Sequence, residues 1–211
     1  MGAWLETFGE MPLIAILRGV TPDEVVAIGS ALYDAGFRVV EVPLNSPDPM
    51  TSIARLSKQF GDSMMIGGGT ILTAEQVESV RTAGGKLVVA PNLDEAVAAK
   101  AAALEMTYCP GIMTPTEAFR ALDLGAAAIK LFPAELIPPI GLKAMKAVLP
   151  KNVCSIPVGG ITPQTMEPYW NVGASGFGLG SALYKPGDTA DRVGENARAF
   201  VSGLREIQGR A

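Results

Sequence analysis

Lys130 stands in an apolar run, with Ala126, Ala127, Ala128 and Ile129 before it and Leu131, Phe132 and Pro133 after it. Lysines rarely sit in what reads as a buried strand. An apolar setting disfavours the ammonium and makes neutral amine available. Neutral lysine attacks a carbonyl to form a Schiff base, and the protonated imine then draws electrons from the adjacent carbon–carbon bond. Glu41 is the second such residue, inside Val39-Val40-Glu41-Val42-Pro43-Leu44. A carboxylate beside the imine can move protons to and from substrate, directly or through a water. The alternative is a structural ion pair between the two, and buried pairs are poor stabilisers. The other seven lysines, Lys58, Lys86, Lys100, Lys143, Lys146, Lys151 and Lys185, fall in helix-like or turn contexts or, for Lys86, at a strand entrance.

Two scarcities narrow the chemistry further. The chain has no histidine and only two cysteines, Cys109 and Cys154, in separate segments. Zinc sites draw mainly on His and Cys, so a metal site is not expected. Enzymes built on Ser-His-Asp or Cys-His are excluded on the same ground. The two thiols read as buried apolar residues in a reducing compartment. The net charge of −4 favours neither nucleic acid nor an anionic membrane as partner. No apolar run is long enough to span a bilayer. The opening "MGAWLETFGEMP" lacks a basic n-region and reads as a short leading helix, which points to a cytoplasmic protein.

Lys130 and Glu41 need elements to carry them. Eight apolar runs recur along the chain, at residues 13–19, 38–44, 64–70, 86–91, 106–111, 127–133, 154–160 and 176–181. Their near-continuous hydrophobicity marks parallel strands covered on both sides. Helix signals lie between them. Thr21-Pro22 with Glu24, Thr114-Pro115 with Glu117, and Thr73 with Gln76 have the form of capping boxes. Thr162-Pro163 starts in the same way, and residues 188–208 read as a longer amphipathic helix. No linker divides the chain. The expected architecture is α/β: a single (β/α)8 TIM barrel over residues 1–211 with a short N-terminal helix. A doubly wound open sheet is the alternative, but the first run ends in "LRGV" without a G-x-G-x-x-G turn.

In such a barrel the functional groups stand at the C-terminal ends of the strands. Glu41 falls on the second run and Lys130 on the sixth, opposite each other and of the same parity, so both can face the lumen. Gly159-Gly160 and Gly180-Ser181 follow the seventh and eighth runs, where this fold usually binds phosphate. Glycines let backbone N–H groups approach phosphate oxygens. Arg18 ends the first run, and its fork suits a carboxylate or a salt bridge at the rim. Gly67-Gly68-Gly69 before Thr70 fits either close approach of backbone to ligand or a tight bend.

The segments "PLIAILRGVTPDE", "VVEVPLNSP", "GGGTILTAEQV", "YCPGIMTPTEA", "AAIKLFPAE" and "IPVGGITPQ" resemble the 2-keto-3-deoxy-6-phosphogluconate and -galactonate aldolases, from about Pro12 to the final helix. The resemblance implies a metal-free class I aldolase on a (β/α)8 barrel, homotrimeric and without a cofactor. It implies a phosphorylated 2-keto-3-deoxy sugar acid as substrate, cleaved to pyruvate and glyceraldehyde 3-phosphate. Lys130 then corresponds to the Schiff-base lysine and Glu41 to the acid–base glutamate. Thr70 corresponds to a threonine holding the pyruvate carboxylate, and Pro91 and Phe132 to residues packing around the pyruvyl group. Gly159, Gly160 and Ser181 correspond to the phosphate-binding set. Asn45 stands where many gluconate-type members carry arginine, so Arg18 is expected to serve the carboxylate. Val158 stands where gluconate-type members often have threonine. Both departures resemble the galactonate type, with the gluconate epimer, or both epimers, as alternatives. A phosphosugar isomerase or epimerase on the same barrel is the alternative from another class.

Overall fold

The computed structural model describes residues 2–210. Met1 and Ala211, the ends of the expected domain, lie outside the described residues. The elements alternate as the sequence predicts. In chain order they are α1 (Gly2–Glu10), β1 (Leu13–Ile16), α2 (Val25–Ala35), β2 (Val39–Pro43), α3 (Pro49–Phe60), β3 (Met65–Gly69), α4 (Ala74–Thr82), β4 (Leu87–Val89) and α5 (Glu95–Ala103). Then come β5 (Thr107–Cys109), β6 (Gly111–Ile112), α6 (Pro115–Asp123), β7 (Ile129–Leu131), α7 (Pro139–Lys146), β8 (Ser155–Pro157), α8 (Met166–Trp170), β9 (Phe177–Leu179) and α9 (Ala190–Arg210). A 3-10 turn, Ala134–Leu136, lies between β7 and α7.

All strand pairs are parallel. One curled sheet runs β5-β4-β3-β2-β1-β9 and a second runs β6-β7-β8. An isolated parallel bridge, Val158 to Gly178, joins the second sheet to β9. On the other side the Ala127 N–H donates to the Tyr108 carbonyl, and the Lys130 N–H to the Pro110 carbonyl, each at 2.9 Å. The expected strand over residues 106–111 is split into β5 and β6 at Pro110, which has no N–H to give to a ladder.

Alternation along the strands sorts side chains into two apolar sets. Leu13, Val40, Val42, Ile66, Val88, Ile129 and Leu131 point out and pack beneath the helices. Ile14, Val39, Met65, Leu87, Cys109, Ala128 and Ile156 point into the curl. Trp4 and Phe8 of α1 join this inner set and stack at 4.4 Å. Phe8 lies against Gly176 just before β9, so α1 covers the end where strands begin. Burying two such rings contributes on the order of 2–3 kcal/mol each.

Two helix starts follow the sequence and two depart from it. Thr73 with Gln76 and Thr114 with Glu117 form reciprocal capping boxes. The expected box at Thr21 is half made: Glu24 Oε1 accepts from the Thr21 N–H at 2.8 Å, but regular helix begins only at Val25. Tyr184 binds the same Glu24 oxygen, which ties this turn to the far end of the chain. The helix expected from Thr162 shortens to α8, because Thr165 Oγ1 takes the Thr162 N–H in a local turn first.

Candidate active site

Lys130 sits on β7 and is 5% exposed; Glu41 sits on β2 and is 1% exposed. Their chain neighbours Ile129, Leu131, Val40 and Val42 belong to the outer apolar set, so both polar side chains face inward. No ion pair within 4.0 Å joins them among the described residues, which departs from simple core pairing. Lys130 Nζ lies 4.5 Å from the centre of the Phe132 ring. Burial lowers the lysine pKa, with Glu41 pulling the other way and Arg18 adding to the fall. Burial pushes the Glu41 carboxyl up to about 7, against the pull of Lys130 and then Arg18. An amine and a carboxyl thus share one dry interior, each displaced toward its neutral form by burial.

The three glycines of β3 have three different reasons. A Cβ on Gly67 would lie 2.0 Å from the Leu87 carbonyl oxygen, so this glycine permits strand approach. A Cβ on Gly68 would meet Val80 and Ile71 on the outer face. A Cβ on Gly69 would strike the Glu41 carboxyl, 1.6 Å from Oε2 and 2.2 Å from Cδ. Glu41 therefore lies flat on the Gly69 backbone, and Oε2 is buried without a hydrogen-bond partner among the described residues.

At the next strand ends, Arg18 Nη1 donates to Asn45 Oδ1 at 2.5 Å and to Thr70 Oγ1 at 3.3 Å. Asn45 thus orients the guanidinium. Thr70 has φ of 56°, a left-handed conformation that costs a β-branched residue roughly 1–3 kcal/mol.

A cleft of about 380 Å³ opens beside this group. It brings together Arg18, Phe132, Val158, Gly159, Gly160, Gly180 and Ser181. Gly159 and Gly160 both have positive φ, 115° and 63°. Thr70 joins the cleft only through Arg18. Pro91 does not line it; its carbonyl packs against Gly111. A larger cavity of about 770 Å³ lies between α2 and α9 and contains none of the expected residues. Sequence reasoning missed Glu135, Tyr184 and Lys185 in the cleft lining. The signal for Lys185 was its position four residues after Ser181, in the same turn.

Burial pushes both cysteine thiols up, Cys154 to about 11, which keeps them inert. Among the described residues no three His, Cys, Asp or Glu side chains stand together as a metal ligand set. Nor is any described helix long and apolar enough to cross a membrane.

Comparison with known proteins adds an independent line. Residues 6–193 match the family model "Aldolase: KDPG and KHG aldolase". The 2-dehydro-3-deoxy-6-phosphogalactonate aldolase of Escherichia coli K12 is 46% identical over 197 residues, covering 93% of this chain and 96% of that one. A solved structure described as "Native KDPGal structure" superposes with a TM-score of 0.93 at 46% identity, covering 95% of this chain and 97% of the other. The KDPG aldolase of Legionella pneumophila, solved with pyruvate captured as a covalent carbinolamine intermediate, superposes with a TM-score of 0.81 at 25% identity, covering 95% and 96%.

Proposed function

The chain belongs to the KDPG and KHG aldolase family, and from that premise we propose that it is an aldehyde-lyase cleaving 2-dehydro-3-deoxy-6-phosphogalactonate to pyruvate and D-glyceraldehyde 3-phosphate. The observation that carries the reading is the buried pair: an amine with lowered pKa and a carboxyl with raised pKa inside one curl of strands. Lys130 Nζ attacks the C2 carbonyl, water leaves, and a protonated imine forms. Glu41 takes the proton from the C4 hydroxyl as the C3–C4 bond breaks. The bonding pair moves toward the imine nitrogen, giving the enamine of pyruvate and releasing the aldehyde. Protonation of C3 and hydrolysis free pyruvate and restore Lys130. The step needs no metal or cofactor.

Arg18, oriented by Asn45, and Thr70 hold the carboxylate, and Phe132 and Pro91 pack around the pyruvyl carbons. Gly159, Gly160, Gly180 and Ser181 take the phosphate. Val158 offers no hydroxyl to the sugar chain, which favours the galactonate epimer. The architecture is a (β/α)8 barrel in one domain. The Val158–Gly178 bridge and the Ala127 and Lys130 backbone bonds support its closure on both sides. The protein acts in the cytoplasm as a homotrimer, and the exposed Met113, Phe119, Leu136 and Ile140 are candidate subunit contacts.

The test is kcat/KM for the two phosphorylated epimers side by side. The galactonate form is expected to be the better substrate. A strong preference for the gluconate form would overturn the weight placed on Val158 and Asn45.

A further inference from the structure

The phosphate end of the cleft has an uneven charge balance. Its backbone N–H groups and the Ser181 hydroxyl carry no net charge, and Glu135 places a carboxylate over the glycine turn. A Cβ on Gly159 would lie 2.2 Å from Glu135 Oε2. A dianionic phosphate arriving there meets a like charge. The cleft holds two cations, Arg18 and Lys185. Arg18 is engaged with Asn45 and Thr70.

Lys185 is differently placed. Its backbone is fixed on both sides, while its side chain is exposed. Tyr184 before it is 2% exposed and donates its hydroxyl to Glu24 at 3.1 Å. Pro186 after it packs on Gly19, where a Cβ would lie 2.6 Å from the proline ring. The Lys185 N–H donates to Asp188 Oδ2 at 2.8 Å. No hydrogen bond or ion pair within 4.0 Å engages its ammonium among the described residues.

We infer that Lys185 is a further substrate-binding residue, whose ammonium offsets Glu135 and holds the substrate's phosphate against the glycine turns. The inference rests on the phosphate site proposed above. An ammonium on a pinned backbone supplies a point charge without ordering a whole loop on binding. It selects phosphorylated over unphosphorylated sugar acids and leaves the carbon chemistry alone.

The experiment compares wild type, Lys185→Met and Lys185→Arg in three measurements. These are KM for the phosphorylated substrate, the competitive inhibition constant of inorganic phosphate, and deuterium exchange from solvent into the pyruvate methyl group. In Lys185→Met, KM and the phosphate constant should both rise about tenfold, with kcat within about twofold. Lys185→Arg should recover most of that loss, and pyruvate exchange should be unchanged in both variants. Unchanged KM and phosphate inhibition in Lys185→Met would remove Lys185 from the site while leaving the phosphate site in place. An equal loss in pyruvate exchange would mean a general disturbance and would also overturn the inference. If phosphate fails to compete in wild type, the phosphate site and the inference fall together.

Discussion

Inside the curl of strands, beneath the residues that line the cleft, the proposed catalytic groups are single buried side chains. Glu41 and Lys130 are 1% and 5% exposed, and each is displaced toward its neutral form by loss of water. In the cleft itself the groups are half-buried to exposed turns, Gly159-Gly160 and Gly180-Ser181, where backbone geometry matters more than side-chain identity. Proton transfer and imine formation need groups that water would hold in the wrong charge state, so they lie in the interior. The proposed phosphate grip uses backbone donors on turns, which stand at the rim. Damage at the buried end should therefore strike kcat, and damage at the exposed end should strike KM.

The largest effect that would sharpen this contrast is expected from Glu41→Gln. Cleavage should fall by about 10²–10⁴-fold while pyruvate still forms its adduct with Lys130. The wild-type pH profile should show the same group. Glu41 acts as base when ionised, and burial pushes its pKa up to about 7 in the free protein, so kcat/KM should decline as pH falls through that value. A wild-type acid limb near the ordinary carboxyl range would show that Glu41 is not the desolvated base.

A smaller loss is expected from Gly69→Ala, roughly 10–100-fold in kcat, through displacement of the Glu41 carboxyl. Gly69 is not in the left-handed region, so a methyl there carries no backbone penalty. Thermal stability should stay close to wild type and KM should change little. Full activity in a folded Gly69→Ala protein would mean that Glu41 tolerates a second position.

The same contrast governs how much was legible in the sequence. An ionisable residue in an apolar strand is a strong local signal, and it placed Lys130 and Glu41 on opposite runs facing one interior. The fold class singled out the glycine turns after the last two strands, and the structure brings both to one cleft. The reason for Gly69 was not, because it depends on which side chain of β2 lies against β3. Lys185 had only a weak signal, its place in the turn after Ser181, because it is the packing of Tyr184 and Pro186 that fixes its backbone beside the cleft. Regular helix starts later than expected after Thr21, where only half of the capping box forms, and after Thr162, whose N–H is taken by Thr165 in a local turn.

The most direct test of the covalent route is borohydride reduction in the presence of pyruvate, followed by peptide mapping. One reduced pyruvyl adduct per chain is expected, on the peptide that contains Lys130, and no adduct in Lys130→Ala. No adduct in the wild type, an adduct on another lysine, or full activity in Lys130→Ala would contradict it.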